Sequence, residues 1–216
     1  MKSNNKIFCI GLNKTGTSSL HEAFQILGYK SVHYIESGGK SIKDIIKTNF
    51  DNGLNILTGI EQYDAYTDWS HPSTNILFKE FDKQFPNSKF ILNTRDVDAW
   101  IKSREKHLNR TPNLKKKQKQ NPNNKWLKMD KALWREEFNL HHKNVRKYFE
   151  DRPKDLLEFD VTIGDGWEKI CHFLNKETPN IEFPIANRAS DQSRRYKYYE
   201  KIKRLIKKII YVKIRS

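Results

Sequence analysis

Cysteine is nearly missing from this chain: Cys9 and Cys171 are the two in 216 residues, and both sit inside apolar runs. Two thiols exclude a disulfide framework and a four-cysteine zinc site, and make a reducing compartment the default. Nine glycines and seven prolines are too few for collagen-like or low-complexity sequence. Long apolar runs are missing too. The polar residues 1–6 lead into about five apolar ones, short of the roughly 7–15 of a secretory signal core. No stretch reaches the roughly 18–20 apolar residues of a membrane span; even 209–214 is interrupted by Lys213. The expectation is a soluble, cytoplasmic protein. Twelve Phe, nine Tyr and five Trp supply a core in spite of the low apolar fraction.

Acid is scarce in two places. Residues 110–128 hold seven basic side chains and no acidic one, and residues 194–216 hold ten against Glu200 alone. These two segments account for the whole formal charge of +15, so the rest of the chain is close to neutral. The first reads as a solvated basic insertion, about 110–125, in a domain spanning 1–190. In the second, 191–216, Tyr198, Ile202, Leu205, Ile206 and Ile209 recur at helical spacing among Lys and Arg. That pattern is a basic amphipathic helix, which either packs on the domain or meets an anionic membrane surface or a polyanion. Nucleic acid is not expected as the primary partner.

Between the termini, apolar strand-like runs alternate with helical patterns. Residues 6–10 (KIFCI) precede a polar loop and a helix with Leu20, Phe24 and Leu27 on one face, stopped by Gly28. Further strands are expected at 31–35, 55–58, 89–93 and 156–159. Helices are expected at 42–50, at 74–85 with Ser73 or Thr74 as N-cap, from 97, over 125–149, and after Gly164-Asp165-Gly166. This alternation predicts an α/β domain with a central parallel sheet flanked by helices. Ligands of such sheets collect at the carboxyl ends of the strands.

The loop after the first strand, Gly11-Leu12-Asn13-Lys14-Thr15-Gly16-Thr17-Ser18-Ser19, has the composition of an anion site. A strand-loop-helix turn aims backbone N–H groups and a helix dipole at one point, Lys14 adds a charge, and Thr15, Thr17, Ser18 and Ser19 add hydroxyls. Gly16 allows close approach. It is no Walker A loop, which needs Lys directly after the second glycine, and no G-x-G-x-x-G dinucleotide turn. Arg95, in Thr94-Arg95-Asp96 after the fourth run, can grip a second phosphate with its planar fork. Ser103, two turns along the next helix, can add a hydroxyl.

FCIGLNKTGTSSL resembles the 5′-phosphosulfate loop of sulfotransferases that use 3′-phosphoadenosine 5′-phosphosulfate (PAPS). Arg95 and Ser103 resemble the 3′-phosphate site of that family. Val32-His33-Tyr34, Tyr66-Thr67-Asp68-Trp69, and Gly164-Asp165-Gly166-Trp167-Glu168 before Phe183-Pro184 extend the likeness over residues 6–187. They are most similar to a soluble subgroup of these P-loop-like proteins. The resemblance implies a P-loop NTPase-like fold and metal-free sulfuryl transfer from PAPS, leaving 3′,5′-adenosine bisphosphate (PAP). The acceptor would be a hydroxyl or amine of a carbohydrate or small molecule. It further implies that Asn13, Lys14, Thr15, Gly16, Thr17, Ser18 and Ser19 hold the 5′ end, Arg95 and Ser103 the 3′ end, and that Lys14 stabilises the leaving oxygen. Ser19 stands where better-known members carry an adenine-stacking aromatic residue, so adenine is held by other groups.

The acceptor's proton needs a base. Asp68 is the first candidate, followed by His33 and Glu36, with Asp64 and His71 behind them. His141-His142 lacks partner ligands for a metal, and Trp126, Trp134 and Trp167 read as core or groove aromatics. Two other readings compete: a non-catalytic member that binds polyanion or membrane through its basic segments, and a nucleotide kinase.

Overall fold

The computed structural model describes residues 5–36, 38–71, 74–110, 116, 119–120 and 127–186. The chain divides into a compact unit, Met1–Pro184, and a second, Ile185–Ser216. The expected C-terminal helix, nearly all of the basic insertion, Trp126 and the N-cap candidate Ser73 lie outside the described residues.

Five short strands build the first unit: β1 (Ile7–Cys9), β2 (Ser31–His33), β3 (Ala65–Thr67), β4 (Lys89–Asn93) and β5 (Leu156–Phe159). They pair in the order β2-β3-β1-β4-β5, every pair parallel. Side chains alternate across a strand, so each strand feeds two cores. Phe8, Val32, Tyr66, Phe90 and Leu92 meet α2 (Ile42–Asp51), α3 (Phe78–Gln84) and the end of α5 (Lys131–Tyr148). Ile7, Cys9, Ala65, Ile91 and Phe159 meet α1 (Thr17–Ile26) and α6 (Trp167–Leu174). Phe8 centres the first layer, 4.4 Å from the Phe81 ring and 5.5 Å from Phe90. A third cluster joins α4 (Val97–Arg110) to α5 through Trp100, Ile101, Leu108, Trp134 and Phe138, and takes in Leu12 from the loop after β1.

Gly28 stops α1 as its position suggests: φ is +84°, with Gly28 N–H donating to Gln25 O and Tyr29 N–H to Phe24 O, a Schellman ending. Three expectations are corrected. Residues 55–58 are a turn, and the third strand lies later, at Ala65–Thr67. Side chains take over the turn's backbone: Asn49 Nδ2 donates to Ile56 O and Thr58 O, and Gln84 Oε1 accepts from Ile56 N. Ile56, Leu57 and Ile60 are then buried as a plug. Thr74 does not cap a helix. Its hydroxyl turns back to Trp69 O and accepts from His71 N, so a short 3₁₀ turn, Asn75–Leu77, precedes α3. The long helix α5 starts at Lys131, where Asp130 caps it through Leu133 N–H, and Leu127 packs from outside it.

Candidate active site

In this strand order the chain leaves β1 toward β2 and leaves β4 toward β5, so a crevice opens at the carboxyl ends of the adjacent strands β1 and β4. The loop after β1 is braced against β4. Gly11 N–H donates to Asn93 Oδ1 at 3.0 Å, and a Cβ on Gly11 would lie 1.8 Å from Asn93 O, so only glycine fits. Asn93 Nδ2 donates to Thr15 Oγ1, and the Thr15 hydroxyl donates to Leu12 O. Thr15 is 1% exposed, and its hydroxyl, bonded on both sides, braces the loop. Ser19, in the first turn of α1, is 2% exposed.

The loop's open groups lie between these braces. Lys14 takes φ +68° and Gly16 φ +87°; a Cβ at Gly16 would also come within 2.7 Å of Val161 Cγ1. With glycine at its N-cap, α1 starts without a capping side chain. Its first turn directs N–H groups outward where the helix itself offers no acceptor. Trp100 on α4 donates from Nε1 to Asn13 O at 2.8 Å, and Arg95 donates from Nη1 to Lys14 O at 3.2 Å. Asn13 Oδ1 and Arg95 Nε are buried without a partner among the described residues. An acceptor and a donor left open beside one loop fit a polar ligand there. Asp96 caps α4 through Ala99 N–H at 2.8 Å. Ser103 is half-buried and follows Trp100 by three residues and precedes His107 by four, one helix face. Trp100 bonds the loop, and the charge of Lys14 helps depress the His107 pKa, an effect second to burial.

On the other side stands Asp68, just past β3 at φ +58°. Its carboxylate Oδ2 is 3.7 Å from His33 Nε2, and that nitrogen is 3.3 Å from Thr17 Oγ1 and 3.4 Å from Ser18 Oγ. Burial pushes the Asp68 pKa up to about 6, against the pull of Lys14, a Thr17 hydrogen bond and Lys43. Burial, then the Lys14 charge, pushes His33 down to about 4. At neutral pH the pair is a carboxylate beside a neutral imidazole. Burial also lowers the Lys14 pKa, opposed by Asp68 and reinforced by Arg95. Lys14, Tyr34 and Asp68 all hold positive φ, three non-glycine residues in a sparsely populated region at three neighbouring strand ends.

Not every candidate comes to this place. Glu36 closes its own loop, its Oε1 accepting from Lys40 N–H. Asp64 precedes β3 and accepts from Lys30 N–H at the opposite edge of the sheet. His71 lies past Asp68, its pKa pushed to about 4 by burial and by Lys43 and Arg104. Arg104, 2% exposed, lies 4.3 Å from the Trp134 ring and 5.2 Å from that of Trp100. Sequence reasoning passed over Asn93 and Trp100. The signal for Asn93 was an amide ending an otherwise apolar buried strand; Trp100 carried none beyond helical spacing.

A family model described as a sulfotransferase domain matches residues 6–192. A curated relative from Aspergillus versicolor, "Ava biosynthesis cluster protein M", is 27% identical over 218 aligned positions, covering 83% of this chain and 79% of the relative. The match spans every strand of the sheet and both flanks of the crevice, and the chain belongs to the sulfotransferase-domain family.

Proposed function

We propose that this protein transfers a sulfuryl group from PAPS to a hydroxyl or amine of a small-molecule or carbohydrate acceptor. The observation that carries this reading is the glycine-containing loop after β1, with Arg95 bonded to Lys14 O and Asp68 within electrostatic reach of the Lys14 ammonium. The donor's two phosphate groups match the two cationic ends of the crevice. Loop N–H groups with the hydroxyls of Thr17 and Ser18 serve the 5′ side, and Arg95 with Ser103 the 3′ side. The orphaned Arg95 Nε is a donor of the kind a phosphate oxygen takes.

Transfer forms an acceptor oxygen– or nitrogen–sulfur bond and breaks the bond from sulfur to the donor's phosphate oxygen. Asp68 takes the acceptor's proton, for which a pKa near 6 suits a base at neutral pH. His33, neutral and within reach of Thr17, Ser18 and Asp68, holds the carboxylate and the loop hydroxyls in register. Lys14 meets the negative charge that grows on the leaving oxygen. Titration calorimetry with PAP, without metal, tests the donor site. Wild type is expected to bind in the micromolar range, with Arg95→Ala weakened at least about tenfold, the value of a lost charge-assisted bond. No binding by folded wild type would refute the reading and favour a polyanion binder, whose affinity would track salt and the basic segments.

A further inference from the structure

We propose that the adjacent histidines His141 and His142 on α5 are positioning residues that set the separation between the loop after β1 and Arg95 after β4. This rests on reading the crevice as the site of a donor with phosphates at both ends. The ladder between β1 and β4 closes with Ile10 N–H on Ile91 O; beyond it, side chains must fix the two strand ends. His141 Nε2 lies 2.6 Å from Ile10 O, one residue before Gly11. His142 Nε2 lies 2.8 Å from Thr94 Oγ1, one residue before Arg95. Consecutive residues of one helix thus hold the last positions before each half of the site.

Both rings are built in. They are 4% and 3% exposed, and Phe138 stacks on His142 at 3.9 Å between centroids. Burial keeps both pKa values below the usual histidine range, so the rings are neutral and the hydrogen bonds assign their tautomers. His142 Nδ1 faces Phe138 O at 2.8 Å and must donate, which leaves Nε2 to accept from the Thr94 hydroxyl. His141 must carry its hydrogen on Nε2, because a carbonyl only accepts. Thr94 N–H is also tied to Phe159 O, so Arg95 leaves a strand end anchored on both sides.

A ligand that spans both loops is sensitive to their separation, whereas one that uses a single loop is not. The experiment titrates PAP and adenosine 5′-phosphate, separately, into wild type, Thr94→Val, His142→Leu, His142→Gln and His141→Gln. Thr94→Val is nearly isosteric and leaves the helix untouched, so it remains informative if His142→Leu misfolds. We expect PAP affinity to fall roughly tenfold in Thr94→Val and His142→Leu, about one buried hydrogen bond. Affinity for adenosine 5′-phosphate stays within about twofold on the same scale. The glutamines, whose amides can reach the same partners, restore PAP binding. Equal losses for both ligands, or unchanged PAP binding in Thr94→Val, would overturn the positioning role alone. Failure of wild type to bind PAP would overturn the donor site, and this inference with it.

Discussion

Asp68 shows what a functional residue costs its fold. A carboxyl whose folded pKa is about 6, against an ordinary value near 3.9, is bound to protons more tightly in the native state. It therefore adds stability as pH falls through 6 and subtracts it at neutrality, by an amount on the order of 1–3 kcal/mol. Asp68→Asn should raise the urea midpoint at pH 7 while lowering turnover roughly 10²–10⁴-fold; a fall in both would make Asp68 a structural residue. Wild-type turnover should rise with pH through about 6, as the base loses its proton, and that limb should vanish in the variant. Asp68 drew notice in the sequence as an acid beside Trp69 in a stretch that resembles the family, and the structure places it next to His33. The hydroxyls of 15, 17, 18 and 19 look alike in a string of letters. Only the fold shows that Thr15 braces the loop against Asn93 while Thr17 and Ser18 meet His33.

At the scale of elements, the loop after β1 is rigid because glycines sit where side chains cannot. Gly16→Ala would place a methyl 2.7 Å from Val161 Cγ1 at φ +87°, costing about 1–2 kcal/mol from the left-handed backbone alone and displacing the loop. We expect PAP binding to be lost in Gly16→Ala and partly recovered in Gly16→Ala/Val161→Ala, which removes the clash and keeps the strain. No recovery would assign the defect to φ. Short apolar runs bounded by breakers revealed β1 and β4, because burial on both faces leaves a nearly continuous hydrophobic signature, and the half-buried edge strand β5 showed as a shorter one. β3 escaped notice for the converse reason: three residues, AYT, carry less signal than the apolar turn at 56–60. What identifies that turn, amide side chains of Asn49 and Gln84 reaching across from two helices, is tertiary and has no local pattern.

For the whole molecule, the titration of its buried and half-buried histidines decides behaviour in acid. Burial is the largest cause in each case that holds His21, His33, His71 and His142 near 4, well below the ordinary 6.5. In the native state these rings take up fewer protons than in the unfolded chain between pH 6.5 and 4. Stability therefore rises with pH across that window and is lost as pH falls through it. Asp68 acts in the opposite direction over nearly the same range, one group against four. Below pH 4 the carboxylates bonded to arginine, Asp82 with Arg152 and Glu158 with Arg146, add a further loss, since their pKa values are depressed. The urea midpoint should therefore drop from pH 6.5 to 4.5, before the arginine-bonded carboxylates take up protons. His142→Gln, which cannot charge, should flatten the drop by the share of one ring, on the order of 2–3 kcal/mol for a group 3% exposed. A midpoint that stays level over that window would mean that the native rings take up protons as readily as those of the unfolded chain, so that burial does not hold them down.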